Sequence, residues 1–434
     1  MNKSEATQIL EKVLGYADAE ETVAAVHGGV SDSTRFSDNA ITQNVSQNDI
    51  SLNVTSAYGQ SHGSASTNDL SDGSLKALVK RAEDIAKISP PDPEHMPPVD
   101  AAESGKYTDV KAHFDKTVEY DPISRARDIS TAIGMVNKKD LKLSGAFSSG
   151  YGFHAMANSA GLRAYHRSTN AETHMTVLTP TSSGWAEKIS ENVEDVNATS
   201  VAETALRIAE NSQDPAASEP GEYTVILRPA AVAELLMFMF WGGFDAKATD
   251  EGRTFLRDKL GTKICGENIT IYSDHTDPNC PGSPFQGDGL ASRKLNWIKN
   301  GVVENLSYSR YWAKEKGKEP TGWPSNILME GGDTSVDEMI ASTDKCILVT
   351  RFWYIRTVDP MVPLVTGMTR DGLFLIENGK IAKPLKHLRF NVRLLDVLSR
   401  VEALSPPERT GEYFGMLIPA VKTRDFNFTS TTEF

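Results

Sequence analysis

Three cysteines in 434 residues, Cys265, Cys280 and Cys346, are too few and too scattered for a disulfide framework or a CxxC metal knuckle. Nor does any stretch reach the roughly 18 apolar residues of a membrane span. The densest, "AELLMFMFWGG" at 233–243, is far shorter. A cationic excess is missing as well, since 45 Lys and Arg stand against 58 Asp and Glu, for a formal net charge of −13. Such a chain repels a phosphate backbone unless its basic residues cluster, and its densest basic segment, "AKEKGKEP", is diluted by glutamates. The N-terminus, "MNKSEATQILEKVLGYADAEE", carries acidic residues at helical spacing and not the pattern of a secretory signal. We therefore expect no direct nucleic-acid contact, no membrane insertion and a reducing, cytoplasmic setting.

What is present is a mixture of helical and strand-like patterning. Ile9, Leu10, Val13 and Leu14 share a helical face in residues 4–16. Short alternating segments follow ("TVAAVHGG", "STRFSDN", "AITQNVSQ", "ISLNVTSAYG", "HGSASTN") and read as hairpins with polar turns. A second helix opens near Ser71 or Asp72, and the proline-rich "SPPDPEHMPPVD" (89–100) cannot be a regular element. A helix over about 121–137 buries Ile123, Ala126, Ile129, Ile133 and Val136, and a strand meander and a helix at 200–211 follow it. "SQDPAASEPGEY" is a second linker; beyond it, strands mix with helices near 229–241 and 391–404. Without a regular βαβα rhythm, the expectation is an α+β protein with mixed, largely antiparallel sheets and packed helices. Its domains would span 1–90, 104–212 and 221–434.

Few segments carry chemistry. "GQSHG" (59–63) fits a nucleophile elbow around Ser61, but strand-like residues follow it where a helix is required, so a hairpin turn is the better reading. Asp274, His275 and Asp277, with Cys280, form the one dense group of metal-ligand types. Their spacing lacks the paired logic of a helical or knuckle site, and turn capping is the better account of them. "TGMTRDG" (366–372) reads as a β-turn or as a cleft-lining loop in which Arg370 could hold a carboxylate bidentately.

Five longer segments are more specific together than any of these: "TRFSDNAITQN" (34–44), "ASTNDLSDGSLKALVKRAEDIAK" (65–87), "NWIKNGVVENLSYSRYWAK" (296–314), "PSNILMEGGDTSVDEMI" (324–340) and "TGMTRDGLFLIENGKIAKPLKHLRFN" (366–391). In this order and spacing they resemble the TldD/PmbA family, proteins named as modulators of DNA gyrase and classed as peptidases. The resemblance implies two kinds of subunit. TldD-type members mount zinc on a His-Glu-x-x-x-His helix with a cysteine near the C-terminus, leaving an open position for water. TldE/PmbA-type members lack the motif and pair with a TldD-type subunit to process or degrade extended peptides.

The segment matching the metal helix is the apolar run itself. Met237 stands at the first histidine, Phe238 at the glutamate and Gly242 at the second histidine, and "ERTGEYFGMLIPAVKTRDFNF" has no cysteine. The resemblance thus implies a TldE/PmbA-like subunit, inactive alone and without a metal of its own, the zinc sitting in a TldD-type partner. It would bind unfolded or extended peptides as a heteromer or homodimer, with Tyr308, Arg310, Thr369 and Arg370 as candidates for the cleft. "PFQGDG" (284–289) is less acidic than the family's usual turn. Two alternatives stand beside this reading: a stand-alone metallopeptidase using Asp274, His275 and Asp277, and a non-enzymatic scaffold.

Overall fold

The computed structural model describes residues 1–411 and 415–432; residues 412–414, within the cysteine-free C-terminal stretch, lie outside it. The first half contains α1 (Lys3–Gly15), β1 (Glu21–Ser37), β2 (Ala40–Tyr58), β3 (Ser61–Thr67), α2 (Asp72–Ile88), α3 (Asp115–Val118) and α4 (Pro122–Asn137). β4 (Lys142–Asn158), β5 (Arg163–Leu178), β6 (Ser183–Ser190) and α5 (Ala198–Asn211) complete it. Its six strands make one antiparallel sheet in the order β3-β2-β1-β4-β5-β6. Because β1 pairs with β4 from Val23↔Asn158 to Phe36↔Gly145, the segments on either side of the proline-rich linker share this sheet.

Four strand segments expected to be separate are two long strands. Gly28 and Gly29 do not interrupt β1; a Cβ at Gly29 would lie 2.0 Å from the Tyr151 carbonyl oxygen, so the glycine permits close strand approach and marks no turn. Alternation puts Ala24, Val26 and Phe36 on the same face of β1. There α1 and α2 cover one end, against Leu52, Val54 and Phe153, and α4 and α5 cover the other, against Phe147, Met175 and Val177. Asp121 caps α4 by accepting from the Ser124 amide, and Pro122 takes its first turn. Ile123, expected on the buried face of α4, is 69% exposed. The inward position belongs to Arg125, which donates to Thr34 Oγ1 (3.2 Å), Ser149 Oγ (2.8 Å) and the Tyr120 carbonyl (2.9 Å). Asp32 lies 3.5 Å away. A buried guanidinium is tolerable only when paired in this way.

The second half runs β7 (Gly221–Leu227), α6 (Pro229–Gly243), α7 (Ala246–Asp250), β8 (Ile271–Ser273), β9 (Leu295–Lys299), β10 (Val302–Val303), α8 (Arg310–Glu315), β11 (Ile327–Met329) and α9 (Val336–Ala341). β12 (Lys345–Asp359), β13 (Leu364–Glu377), β14 (Lys380–Pro384), β15 (Leu388–Arg393), α10 (Leu394–Ser399), β16 (Val401–Thr410) and β17 (Met416–Thr431) follow. The helix expected over 391–404 is only α10, since strand pairing claims the residues on both sides. β7, β12, β13, β15 and β17 close into a ring, β7 pairing with both β12 and β17. Phe352 and Phe426 stack inside the core at 5.6 Å between centroids, and Phe390 lies 4.5 Å from Phe352. Among the described residues no helix is long and apolar enough to cross a membrane.

Candidate functional site

β6 is one of the two terminal strands of the six-stranded sheet, and it lies along the second half of the molecule. Gly184 lets it sit tightly on α5: a Cβ there would be 2.2 Å from the Ala205 carbonyl oxygen. Across the seam, Ser183 Oγ donates to Asp371 Oδ1 (2.6 Å), and Glu187 accepts from Thr410 Oγ1 and from the Gly411 amide (3.3 Å).

Under this seam runs α6. Pro229 occupies its first turn, and Leu235, Leu236, Met239 and Phe240 are buried. Its remaining face turns Glu234 and Met237, one turn apart, into a cavity of about 130 Å³ that Trp185, Glu187, Arg351 and Met416 also line. Glu234 accepts from the Phe352 amide at 2.9 Å. Burial, reinforced by the negative Glu187 and Asp371, raises its carboxyl to about 8 against the pull of Arg351 and the Phe352 amide. At neutral pH it is therefore mainly a protonated acid. Arg351 donates to Asp371 through Nε at 2.7 Å, and its guanidinium lies 4.5 Å from the Trp185 ring centroid.

A larger cavity of about 620 Å³ continues the seam, lined by Thr369, Arg370, His387, Trp353, Lys386 and Ser183 among others. Thr369 and Arg370 sit on β13 and not in a turn or loop, because "TGMTRDG" pairs with β12. The turn-like composition has a local cause. Asp371 (φ 54°) and Gly372 (φ 115°) form an irregularity where the register shifts between Val349 and Arg351. That irregularity turns the Asp371 carboxylate inward, onto Arg351 and Ser183. Thr369 is buried, accepting from the Leu388 amide at 3.0 Å and lying 3.2 Å from His387 Nδ1.

The four cleft candidates do not share a cavity. Tyr308 is buried. Arg310, at the start of α8, binds Glu103 (2.8 Å) and the Pro97 carbonyl (2.6 Å), and lines a separate cavity of about 310 Å³ with His62 and His95. On α6, Met237 faces the seam, Phe238 packs partly into the core, and Gly242 has open space where a side chain would be. Asp274 is held by Lys294 (3.0 Å) and Thr276, Asp277 caps the Asn279 amide (2.8 Å), and both ring nitrogens of buried His275 lack a partner. Among the described residues no three such side chains converge as a metal group. The seam does not suit zinc either: it offers Glu187 and the raised Glu234 carboxyl, a thioether and a guanidinium, where zinc takes imidazole, thiolate and carboxylate. Sequence reasoning passed over Glu234, Trp185, Glu187 and Arg351; the one available signal was a lone acid inside an otherwise apolar helix.

The geometry thus defines a mixed α+β protein whose two halves meet along a polar seam, with an edge strand beside a helix that lines a cavity. Residues 23–86, 109–213 and 220–430 match, respectively, the PmbA/TldA metallopeptidase domain 1, central domain and C-terminal domain. The chain belongs to the PmbA/TldD family. It is 24% identical over 415 residues to metalloprotease PmbA of Escherichia coli O157:H7, spanning 89% of this chain and 87% of that protein. A PmbA homologue of Haemophilus influenzae is 24% identical over 416 residues, covering 90% and 87% of the two chains. TldE from Thermococcus kodakarensis shares the fold at a TM-score of 0.88 and 19% identity, over 98% of this chain and 99% of that one.

Proposed function

We propose that this chain is the non-metal, TldE/PmbA-like subunit of a peptide-processing or peptide-degrading assembly. It acts with a TldD-type partner that carries the zinc, or as a homodimer that holds peptide without cutting it. The observation that carries this reading is the face of α6: Met237, which stands where the family resemblance puts the first histidine, lines with Glu234 a cavity beside the Arg351–Asp371 ion pair. β6 supports the peptide role. As a terminal strand of its sheet, it has an edge along the seam to which an extended peptide could pair, and strand addition of that kind tolerates diverse side chains. The three buried, unpaired cysteines suit a reducing cytoplasm.

The test uses the full chain, purified alone and together with a TldD-type partner. Bound zinc is measured, and cleavage of an unfolded peptide is followed with and without the partner. The expected result is substoichiometric zinc and no cleavage alone, with the partner's turnover raised by addition of this chain. Stoichiometric zinc with activity in the isolated chain would overturn the reading, as would a partner indifferent to its presence.

A further inference from the structure

The 620 Å³ cavity has a charge character at odds with the chain around it. In a protein of formal net charge −13, the ionisable side chains lining this cavity among the described residues are Arg370, Lys386 and His387. His387 is held neutral, its pKa lowered mainly by burial. The acid paired with Arg370 is already committed. Asp371 receives Ser183 on one oxygen and Arg351 on the other, at 2.6 and 2.7 Å, which leaves Arg370 at 3.8 Å. Among the described residues the Arg370 guanidinium makes no hydrogen bond and the Lys386 ammonium no ion pair. The guanidinium is nonetheless placed, lying 4.3 Å from the centroid of the Trp353 ring. Trp353 is 44% exposed, and with Met368 and Leu385 it gives the cavity an apolar wall beside its cationic end.

We propose that this cavity binds an organic carboxylate that carries an apolar group. Arg370 takes the carboxylate through paired N–H donors, the geometry at which a guanidinium is strongest. Lys386 supplies a second charge, and the apolar group lies against Trp353 and Leu385. The volume is that of an ordinary small-ligand site, large enough for the last residue of a peptide. A peptide's C-terminus and a free carboxylic acid offer the same chemistry. The first source deepens the peptide-binding reading above and rests on it; the second does not.

Calorimetric titration of the full chain distinguishes them. The probes are an N-acetylated alanine pentapeptide ending in phenylalanine as free acid, the same peptide as C-terminal amide, 3-phenylpropanoate, and inorganic phosphate. The free-acid peptide is expected to bind about tenfold or more tighter than the amide, as loss of a charge-assisted pair implies. Arg370→Gln should abolish that preference and Arg370→Lys should keep part of it; position 370 is exposed, so neither change touches the core. Comparable binding of 3-phenylpropanoate and the acid peptide supports the proposal with a free acid as the source, while tighter peptide binding supports it with a C-terminus. Equal affinity for acid and amide overturns it, as does an unchanged preference in Arg370→Gln or phosphate binding as tightly as the carboxylates. Equal but measurable binding of acid and amide would leave the main-chain peptide reading standing; that reading falls separately, on the partner's turnover.

Discussion

Replacing Glu234 by glutamine tests whether the seam holds a neutral acid. Burial raises this carboxyl from an ordinary 4.5 to about 8. Between those values the folded chain keeps a proton that the unfolded chain has released. Its contribution to stability is therefore undiminished below about pH 4.5 and is lost as pH rises toward 8. At about 1.4 kcal/mol per pH unit, full linkage would remove about 3 kcal/mol between pH 5.5 and 7.5. The cavity gives Glu234 some access to water, so about 1–3 kcal/mol is the expected range. Glutamine is nearly isosteric, can still accept from the Phe352 amide, and does not titrate. Any constant cost of the substitution cancels when the two proteins are compared across pH, and so do the contributions of the histidines present in both. Guanidinium unfolding followed by tryptophan fluorescence and circular dichroism at several pH values gives the difference directly. Glu234→Gln should gain on the natural chain steadily from pH 5.5 to 7.5. Parallel profiles, or a natural chain that gains on the variant as pH rises, would refute the assignment of a protonated Glu234.

Other consequences are simpler to read. Phe426→Ala empties a site contacted by the Phe352, Phe390 and Phe428 rings and should cost about 3–5 kcal/mol in denaturant unfolding. Arg125→Ala strands Asp32 and three hydrogen-bonded groups in the interior; a loss of about 3–5 kcal/mol is expected, and a loss under 1 kcal/mol would contradict the pairing described. Gly184→Ala forces β6 off α5, which should lower the melting temperature and the amide-exchange protection of β6, whereas Gly242→Ala, which meets nothing within a helix, should leave β6 protection unchanged and raise the melting temperature slightly. Cys265, Cys280 and Cys346 are buried, and burial holds the Cys280 thiol at about 12; an aromatic disulfide reagent at pH 8 should label none of them until the chain is unfolded.

Much of this molecule was legible in its sequence. Helix starts could be placed because their signals are local: Asp121 before Pro122 and Pro229 after a strand each act within one turn. The family was legible because five segments keep their order and spacing, and the apolar 233–243 run could be recognised as a short helix without metal-binding side chains. Other features depended on partners distant in sequence. Gly28 and Gly29 look like turn residues until β4 passes close beside them. Ile123 and Arg125 exchange inside and outside because Thr34, Asp32 and Ser149 wait on other strands to satisfy a guanidinium. "TGMTRDG" has the composition of a turn, yet β12 pairs with it and leaves only Asp371 and Gly372 irregular. The seam is the clearest case: Trp185 and Glu187 on β6, Glu234 on α6, Arg351 on β12 and Asp371 on β13 come from four separate stretches of chain. Composition and periodicity report on a residue's near neighbours, and they determined the elements and the fold class. Burial and charge pairing depend on which strand edges and helix faces meet, and only the tertiary structure decided which acid is buried beside which guanidinium.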